Sequence, residues 1–267
     1  MEHLEFDKIH LDIDGEFATI TLNDPDNLNA LSFDMVTGFC AAFNELGGKG
    51  RHIRMLFIRG EGRGFCAGLN LNDRQRAVKQ GDPSFMIMNS HFFPMLRHLK
   101  EAPFPTVCAV NGPCAGIGVT LALMCDVAVA GRSAYFFLPF TKNLGSVGDA
   151  GISWILPRII GWSRARQMIL FGTKVGAQQA LDWGMVYEVF DDDALRAKAE
   201  AIARELAEGA TVAQTVLRRF IWEALENDYD RQLYRELELN GITHQSSDYK
   251  AALAARQQGR PVQFEGR

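Results

Sequence analysis

Two stretches of this chain have almost no polar face. Met55-Leu56-Phe57-Ile58 and Thr106-Val107-Cys108-Ala109-Val110 are apolar at nearly every consecutive position, over the length of a strand. A strand of that kind must be covered on both sides, as parallel strands are in layered α/β domains. Val127-Ala128-Val129-Ala130 repeats the pattern. The chain therefore reads as an α/β fold whose sheet lies under helices on both faces.

The remaining elements agree. Ile9 to Leu22 alternates like a hairpin around Asp14-Gly15-Glu16, and Ser32 is placed to cap a helix carrying Phe33, Val36, Phe39, Phe43 and Leu46 at helical spacing. A further helix is expected from about 85 to 100, ended by Pro103 and Pro105, and a small-residue helix from about 115 to 124. Beyond residue 150 helices dominate, over 152–160, 163–171, 177–183, 193–206, 212–226 and 230–244. No linker or low-complexity segment divides the chain.

At 267 residues, with 47% hydrophobic and 22% charged, the chain can bury a large core without a disulfide or metal. Its net charge of −4 argues against a nucleic-acid partner. The cysteines Cys40, Cys66, Cys108, Cys114 and Cys125 are odd in number and lack CxxC spacing, so they read as reduced, buried thiols. Met1-Glu2-His3-Leu4-Glu5-Phe6 is too polar for a signal peptide, and no apolar run nears the ~20 residues that span a bilayer. These features predict a soluble cytoplasmic protein with no membrane partner.

Two loops set small residues between a buried strand and a helix: Gly64-Phe65-Cys66-Ala67-Gly68-Leu69-Asn70 and Asn111-Gly112-Pro113-Cys114-Ala115-Gly116-Ile117-Gly118. Glycine lets a ligand approach the main chain, and the first N–H groups of a helix have no internal partner. Two such groups aimed at one point stabilise an oxyanion. Tight packing explains the same glycines equally well. Neither loop carries the Gly-Lys-Ser/Thr of a P-loop, and the second lacks GxGxxG spacing.

As a pair, the loops resemble the enoyl-CoA hydratase/isomerase (crotonase) superfamily. The first is similar to "FCAGxDL". The second, with Leu121-Ala122-Leu123-Met124-Cys125-Asp126, resembles "NGxxxGxGxxLAxxCD". Ser153 to Gly161 resembles "xxLPRxxG", and Phe171 to Val186 the "TG…A…A…GLV" stretch. The resemblance implies a spiral of ββα units over residues 1–200 that binds a CoA thioester. It also implies a C-terminal helical region over 201–267 that builds trimers, often paired into hexamers. It places the oxyanion-hole N–H groups at Leu69 and Ile117 and lines the CoA path with Ala67 and Gly68. Gly116 and Ile117 stand where the family has glycines, so Ile117 adds bulk beside the thioester. Arg260, in Arg260-Pro261-Val262-Gln263-Phe264, is the leading charge of a tail similar to "KRKPxF". Asp26 replaces a lysine usual before Leu28-Asn29-Ala30-Leu31.

Hydratases of the family use two glutamates, and the matching positions here are Thr120 and Thr141. Asp149, in Gly145-Ser146-Val147-Gly148-Asp149-Ala150-Gly151, stands where several isomerases carry a carboxylate, although Asp is also a favoured helix N-cap. The resemblance thus implies an enoyl-CoA isomerase that needs no cofactor and no metal, with Asp149 as base. A hydratase, a dehalogenase or thioester hydrolase with Asp149 as nucleophile, and a non-catalytic CoA-binding protein are the alternatives. The second of these needs an aromatic acyl pocket, for which Phe92, Phe93, Phe136, Phe137 and Phe140 are candidate walls. His91 and His98 are read as packing residues, Asp126 as a brace for the strand after it, and Asp191-Asp192-Asp193 as a solvated turn and helix cap.

Overall fold

In the computed structural model, which describes residues 1–48, 50–81 and 83–267, the apolar runs lie at the centre of a seven-stranded sheet. Strands β1 (Glu2–Phe6), β2 (Ile9–Asp14) and β3 (Phe17–Leu22) form an antiparallel meander. From β3 the sheet continues in parallel through β4 (Met55–Gly60) and β5 (Thr106–Val110). After the short β6 (Pro113–Ala115), β7 (Val127–Gly131) returns to pair with β5. Strand β8 (Tyr135–Phe137) joins β6 and β9 (Val175–Gly176) in a separate three-stranded sheet, and β10 (Glu188–Phe190) closes the main sheet beside β7. Neither β1 nor the small sheet is legible in the sequence, because their strands are polar or only two to three residues long.

Helix α1 (Phe33–Leu46) is capped by Ser32, whose Oγ accepts a hydrogen bond from the Met35 N–H at 3.2 Å. An unexpected helix, α2 (Leu71–Lys79), follows the first glycine loop. It has no apolar stripe, and the Asn70 side chain nucleates it by accepting from the Asn72 and Asp73 N–H groups. The helix expected over 85–100 is three pieces: α3 (Ser84–Ile87), a π-helical turn over Met88–Phe92, and α4 (Phe93–Glu101). Pro94 lies in the first turn of α4, and its missing N–H interrupts the regular ladder there.

Helices α5 (Ile117–Met124), α6 (Phe140–Leu144), α7 (Ile152–Ile160), α8 (Trp162–Phe171) and α9 (Ala177–Asp182) surround the small sheet. They are followed by α10 (Leu195–Ala207), α11 (Thr211–Ala224), α12 (Tyr229–Thr243) and α13 (Ser247–Gln257). The expected divide at residue 200 falls inside α10, whose Leu195, Ala199 and Ala203 cover one sheet face at Phe57, Val107 and Val129. The opposite face, with Leu56, Ile58 and Cys108, packs into the larger core under α1, α4 and α5. Asp191 and Asp192 do hold a turn, through Arg132 and the Ser133 N–H. Helix α13 anchors the C-terminal tail: buried Asp248 accepts from the Glu265 and Gly266 N–H groups at 2.7 and 2.9 Å.

Candidate active site

The two glycine loops run side by side between β4, β5 and the start of α5. Cys66 pairs with Cys114 as an isolated parallel bridge, and the Ala115 N–H donates to the Cys66 carbonyl at 2.9 Å. The approach is close enough that a side chain at Gly68 would sit 2.8 Å from the Ala115 carbonyl oxygen. One at Gly118 would sit 2.5 Å from that of Cys66. Packing is therefore a real duty of these glycines.

That packing also sets the direction of two amides. Leu69 forms a second bridge with Leu31, in which Leu31 donates to the Gly68 carbonyl and Asn70 donates to the Leu31 carbonyl. Groups on adjacent residues of an extended segment alternate sides, so the Leu69 N–H faces away from Leu31. Ile117 is the first residue of α5, where an N–H has no internal partner. Among the described residues, neither N–H has a hydrogen-bond partner. Gly116, at φ +54°, turns the chain into α5 and comes within van der Waals distance of Gly68. The Ala67 N–H is already committed to the Leu28 carbonyl. Within the loops Cys66 is fully buried and its thiol is pushed up to about 12, and burial raises the Cys114 thiol as well. All five cysteines are free thiols.

Beyond α5 lies a cavity of 270 Å³, lined by Phe93, Leu96, Arg97 and Lys100 of α4, Thr120 and Met124 of α5, Ala150, Gly151, Trp154 and Ile155 around the start of α7, and Trp222 of α11. Trp154 and Trp222 are stacked, centroids 5.5 Å apart and planes within 9°. Arg158 lies over the Trp154 ring and Lys100 over that of Trp222. Helix α11 is held there by Arg218, which pairs with Asp126 at 2.9 Å and donates to the Ala102 and Leu99 carbonyls at 2.6 and 3.0 Å. Asp126 also accepts from the Thr106 N–H at 2.7 Å, so it braces β5 as well as α11.

Among the described residues no Asp or Glu lines the cavity, but Asp149 directly precedes its Ala150–Gly151 edge. Asp149 does not cap α7: Gly151 is the N-cap, and no side chain bonds there. Asp149 is exposed to solvent in the single chain, yet the protein around its carboxyl raises its pKa through desolvation, opposed in part by Arg74. The next residue, Ala150, is buried at φ +57°, a left-handed conformation that costs an L-residue energy. Phe140 bridges the two parts, its ring lying against both Gly116 and Gly148.

Other predicted positions divide. Thr120 lines the cavity, and among the described residues its buried hydroxyl has no partner. The Thr141 hydroxyl instead bonds the Ile169 and Leu170 carbonyls at 2.6 and 2.9 Å, docking α6 on α8. Arg260 is exposed in the tail after α13 and donates to Gln258. Among the candidate aromatic walls, Phe93 lines the cavity, whereas Phe92 and Phe136 are wholly buried in the core. His91 and His98 stack on Phe33 and Phe43. The two tryptophans are the aromatic walls that the sequence does not reveal. Residues 154 and 222 come from different helices, and only a three-dimensional contact relates them. Among the described residues no cluster of three His, Cys, Asp or Glu is arranged to hold a metal, and no helix is long and apolar enough to cross a membrane.

The chain is similar to known proteins over most of its length. The chain is 38% identical to the 1,2-epoxyphenylacetyl-CoA isomerase of Escherichia coli over 93% of its length and 95% of the relative's. It is 26% identical to the trans-2-decenoyl-[acyl-carrier-protein] isomerase of Streptococcus mutans, over 99% of this chain and 100% of the other. The crystal structure of an enoyl-CoA hydratase from Polaromonas sp. JS666 superposes with a TM-score of 0.87 at 28% identity, covering 96% of this chain and 99% of that one. The sequence profile of the family described as Enoyl-CoA hydratase/isomerase matches residues 12–267. With its paired glycine loops and a profile match over nearly its whole length, this chain is an enzyme of the enoyl-CoA hydratase/isomerase family, with the crotonase fold.

Proposed function

We propose that the protein is an acyl-CoA isomerase that shifts a double bond by moving a proton, with Asp149 as the base. The observation that carries this reading is the distribution of carboxylates. By the family resemblance, the positions that match the hydratase glutamates are Thr120 and Thr141, and Asp149 stands at the edge of a cavity that no acidic residue lines among the described residues. The thioester carbonyl would accept hydrogen bonds from the Leu69 and Ile117 N–H groups. As Asp149 removes a proton from the acyl chain, negative charge grows on that oxygen, where the two donors are already oriented. The enolate is then reprotonated at another carbon. Desolvation raises the Asp149 pKa, which makes its carboxylate a stronger base. No covalent intermediate is needed. Ala67 and Gly68 would border the CoA path, with Arg260 available to a phosphate.

The cavity favours a compact, ring-bearing acyl group. Its walls are Phe93, Trp154 and Trp222, and its 270 Å³ exceeds the ~150 Å³ apolar cavity known to take up benzene. The name of the Escherichia coli relative, an isomerase of a phenylacetyl-type thioester, points the same way. The test is incubation with a panel of acyl-CoA esters in deuterated water. Deuterium uptake with double-bond migration supports the reading. Net addition of water would make the protein a hydratase, and inertness toward every thioester would leave a CoA-binding protein without catalysis.

Assembly about a threefold axis, as trimer or hexamer, belongs to the same proposal. Leu217, Ile221 and Leu225 on α11 and Leu233, Tyr234 and Leu237 on α12 are exposed in the single chain, an unusually large apolar surface to leave in water. A light-scattering mass of one chain at micromolar concentration would rule the assembly out. Five free thiols suit a reducing cytoplasm.

A further inference from the structure

We infer that the acyl group carries an oxygen substituent close to the thioester, and that the Thr120 hydroxyl binds it. This rests on the reading that the cavity holds the acyl chain. Thr120 is 1% exposed and lines the cavity, and among the described residues its Oγ1 has no hydrogen-bond partner. A threonine within a helix ordinarily bonds the carbonyl four residues back. Here that carbonyl, Gly116, accepts from the Val119 N–H and receives nothing from Thr120. A buried hydroxyl left unpaired is costly, and native proteins retain few of them without a role.

Position fixes what would satisfy it. Ile117 and Thr120 are three residues apart on α5, on neighbouring faces, and one is about 4.5 Å along the helix axis from the other. A carbonyl oxygen held at the Ile117 N–H thus leaves the Thr120 hydroxyl alongside atoms two to four bonds farther down the acyl chain. Most of the surrounding wall is apolar, with Phe93, Leu96, Met124, Ala150 and Ile155, and the charged residues that line it are the cations Arg97 and Lys100. A hydrocarbon acyl group would leave the hydroxyl unpaired, whereas a hydroxyl, ether or epoxide oxygen there pairs it. Rotation about the Thr120 Cα–Cβ bond exchanges its methyl and hydroxyl positions, so the hydroxyl can turn to the ligand without moving α5.

The test compares two thioesters that differ by one oxygen, phenylacetyl-CoA and ortho-hydroxyphenylacetyl-CoA, by calorimetric Kd and by the rate of α-proton exchange in deuterated water. The wild type is expected to bind the oxygenated ester about 10-fold more tightly. Thr120→Val, which keeps the shape and removes the hydroxyl, brings that ratio near one, and Thr120→Ser preserves it. A wild-type ratio near one overturns the inference without any variant, as does a ratio that survives Thr120→Val or failure of either ester to bind. The proton-exchange rate separates this result from the isomerase reading. Fast exchange in Asp149→Asn removes Asp149 from the chemistry while leaving the Thr120 ratio to stand or fall on its own.

Discussion

The paired glycine loops and the segment that carries Asp149 build the same candidate site by opposite means. In the loops, main-chain bonds do the positioning: Cys66 to Pro113 and Ala115, Leu31 to Gly68 and Asn70, and Ala67 to Leu28. The groups offered to a ligand are also main-chain. The segment over 140–151 is more exposed and offers a side chain, placed by the positive φ of Ala150 and the Phe140 ring packed under Gly148. An oxyanion donor needs only a correctly aimed N–H, so on the proposed reading residues 69 and 117 can vary. A base needs a particular functional group, so on the same reading residue 149 cannot.

The largest effect expected from this difference is at Asp149. Asp149→Asn keeps the size and removes the proton acceptor, and turnover should fall ~100- to 10,000-fold. Steady-state rates on any accepted acyl-CoA check this, and near-normal turnover excludes Asp149 as the base.

Next comes Ile117→Pro, which deletes one donor at the first helical position, where proline is best tolerated. Turnover should drop ~100- to 1000-fold with the fold retained by circular dichroism. Ile117→Gly keeps the N–H and should instead broaden the range of acyl groups turned over. Full activity in the proline variant would show that the hole lies elsewhere.

Stability should separate the regions too. A side chain at Gly112 would collide with the Arg63 carbonyl oxygen, whereas one at Gly145 meets no atom within 4 Å and suffers only its φ of +57°. Gly112→Ala should therefore destabilise by about 1–3 kcal/mol or more and Gly145→Ala by about 1–2 kcal/mol. Denaturant midpoints of the two variants give the order, and the reverse order would contradict the close packing of the loops.

The smallest effect is pH-dependent. Burial raises the Asp149 pKa in the folded state, so folding favours its protonated form. That contribution is complete below the unfolded pKa and is lost as pH rises through the higher folded pKa, leaving the ionised group a small liability at neutral pH. Asp149→Asn should thus melt slightly above the wild type at pH 7, with the gap narrowing in acid. The wild-type activity profile should rise with pH through a value above the ordinary aspartate pKa of 3.8. A variant that melts below the wild type at pH 7 would mean that the carboxylate has a stabilising partner.

What was legible in the sequence follows from the range of the forces involved. Period and local chemistry are short-range, so β3, β4, β5, the Ser32 cap and the bounds of α7 can be read from neighbouring residues. Helix α2 escapes that reading because Asn70 capping, with no apolar stripe, starts it. Thr120 and Thr141 look equivalent in sequence, since the family resemblance matches both to glutamate positions. Packing separates them, because α8 offers carbonyls to Thr141 and none of the described residues pairs with the Thr120 hydroxyl. Asp149 reads equally well as cap or base until Gly151 proves to be the N-cap.

By itself, the sequence determined the layered α/β core and the two places where glycine lets main chain meet main chain. Both depend on local backbone freedom and on which residues cannot face water. The tertiary structure alone decided what surrounds those places: Trp222 brought from α11 to stack on Trp154, the Asp126–Arg218 pair that holds it there, and the unpaired hydroxyl of Thr120. Such contacts join residues up to 92 positions apart. No local pattern encodes them, because their energy exists only once the intervening chain has packed.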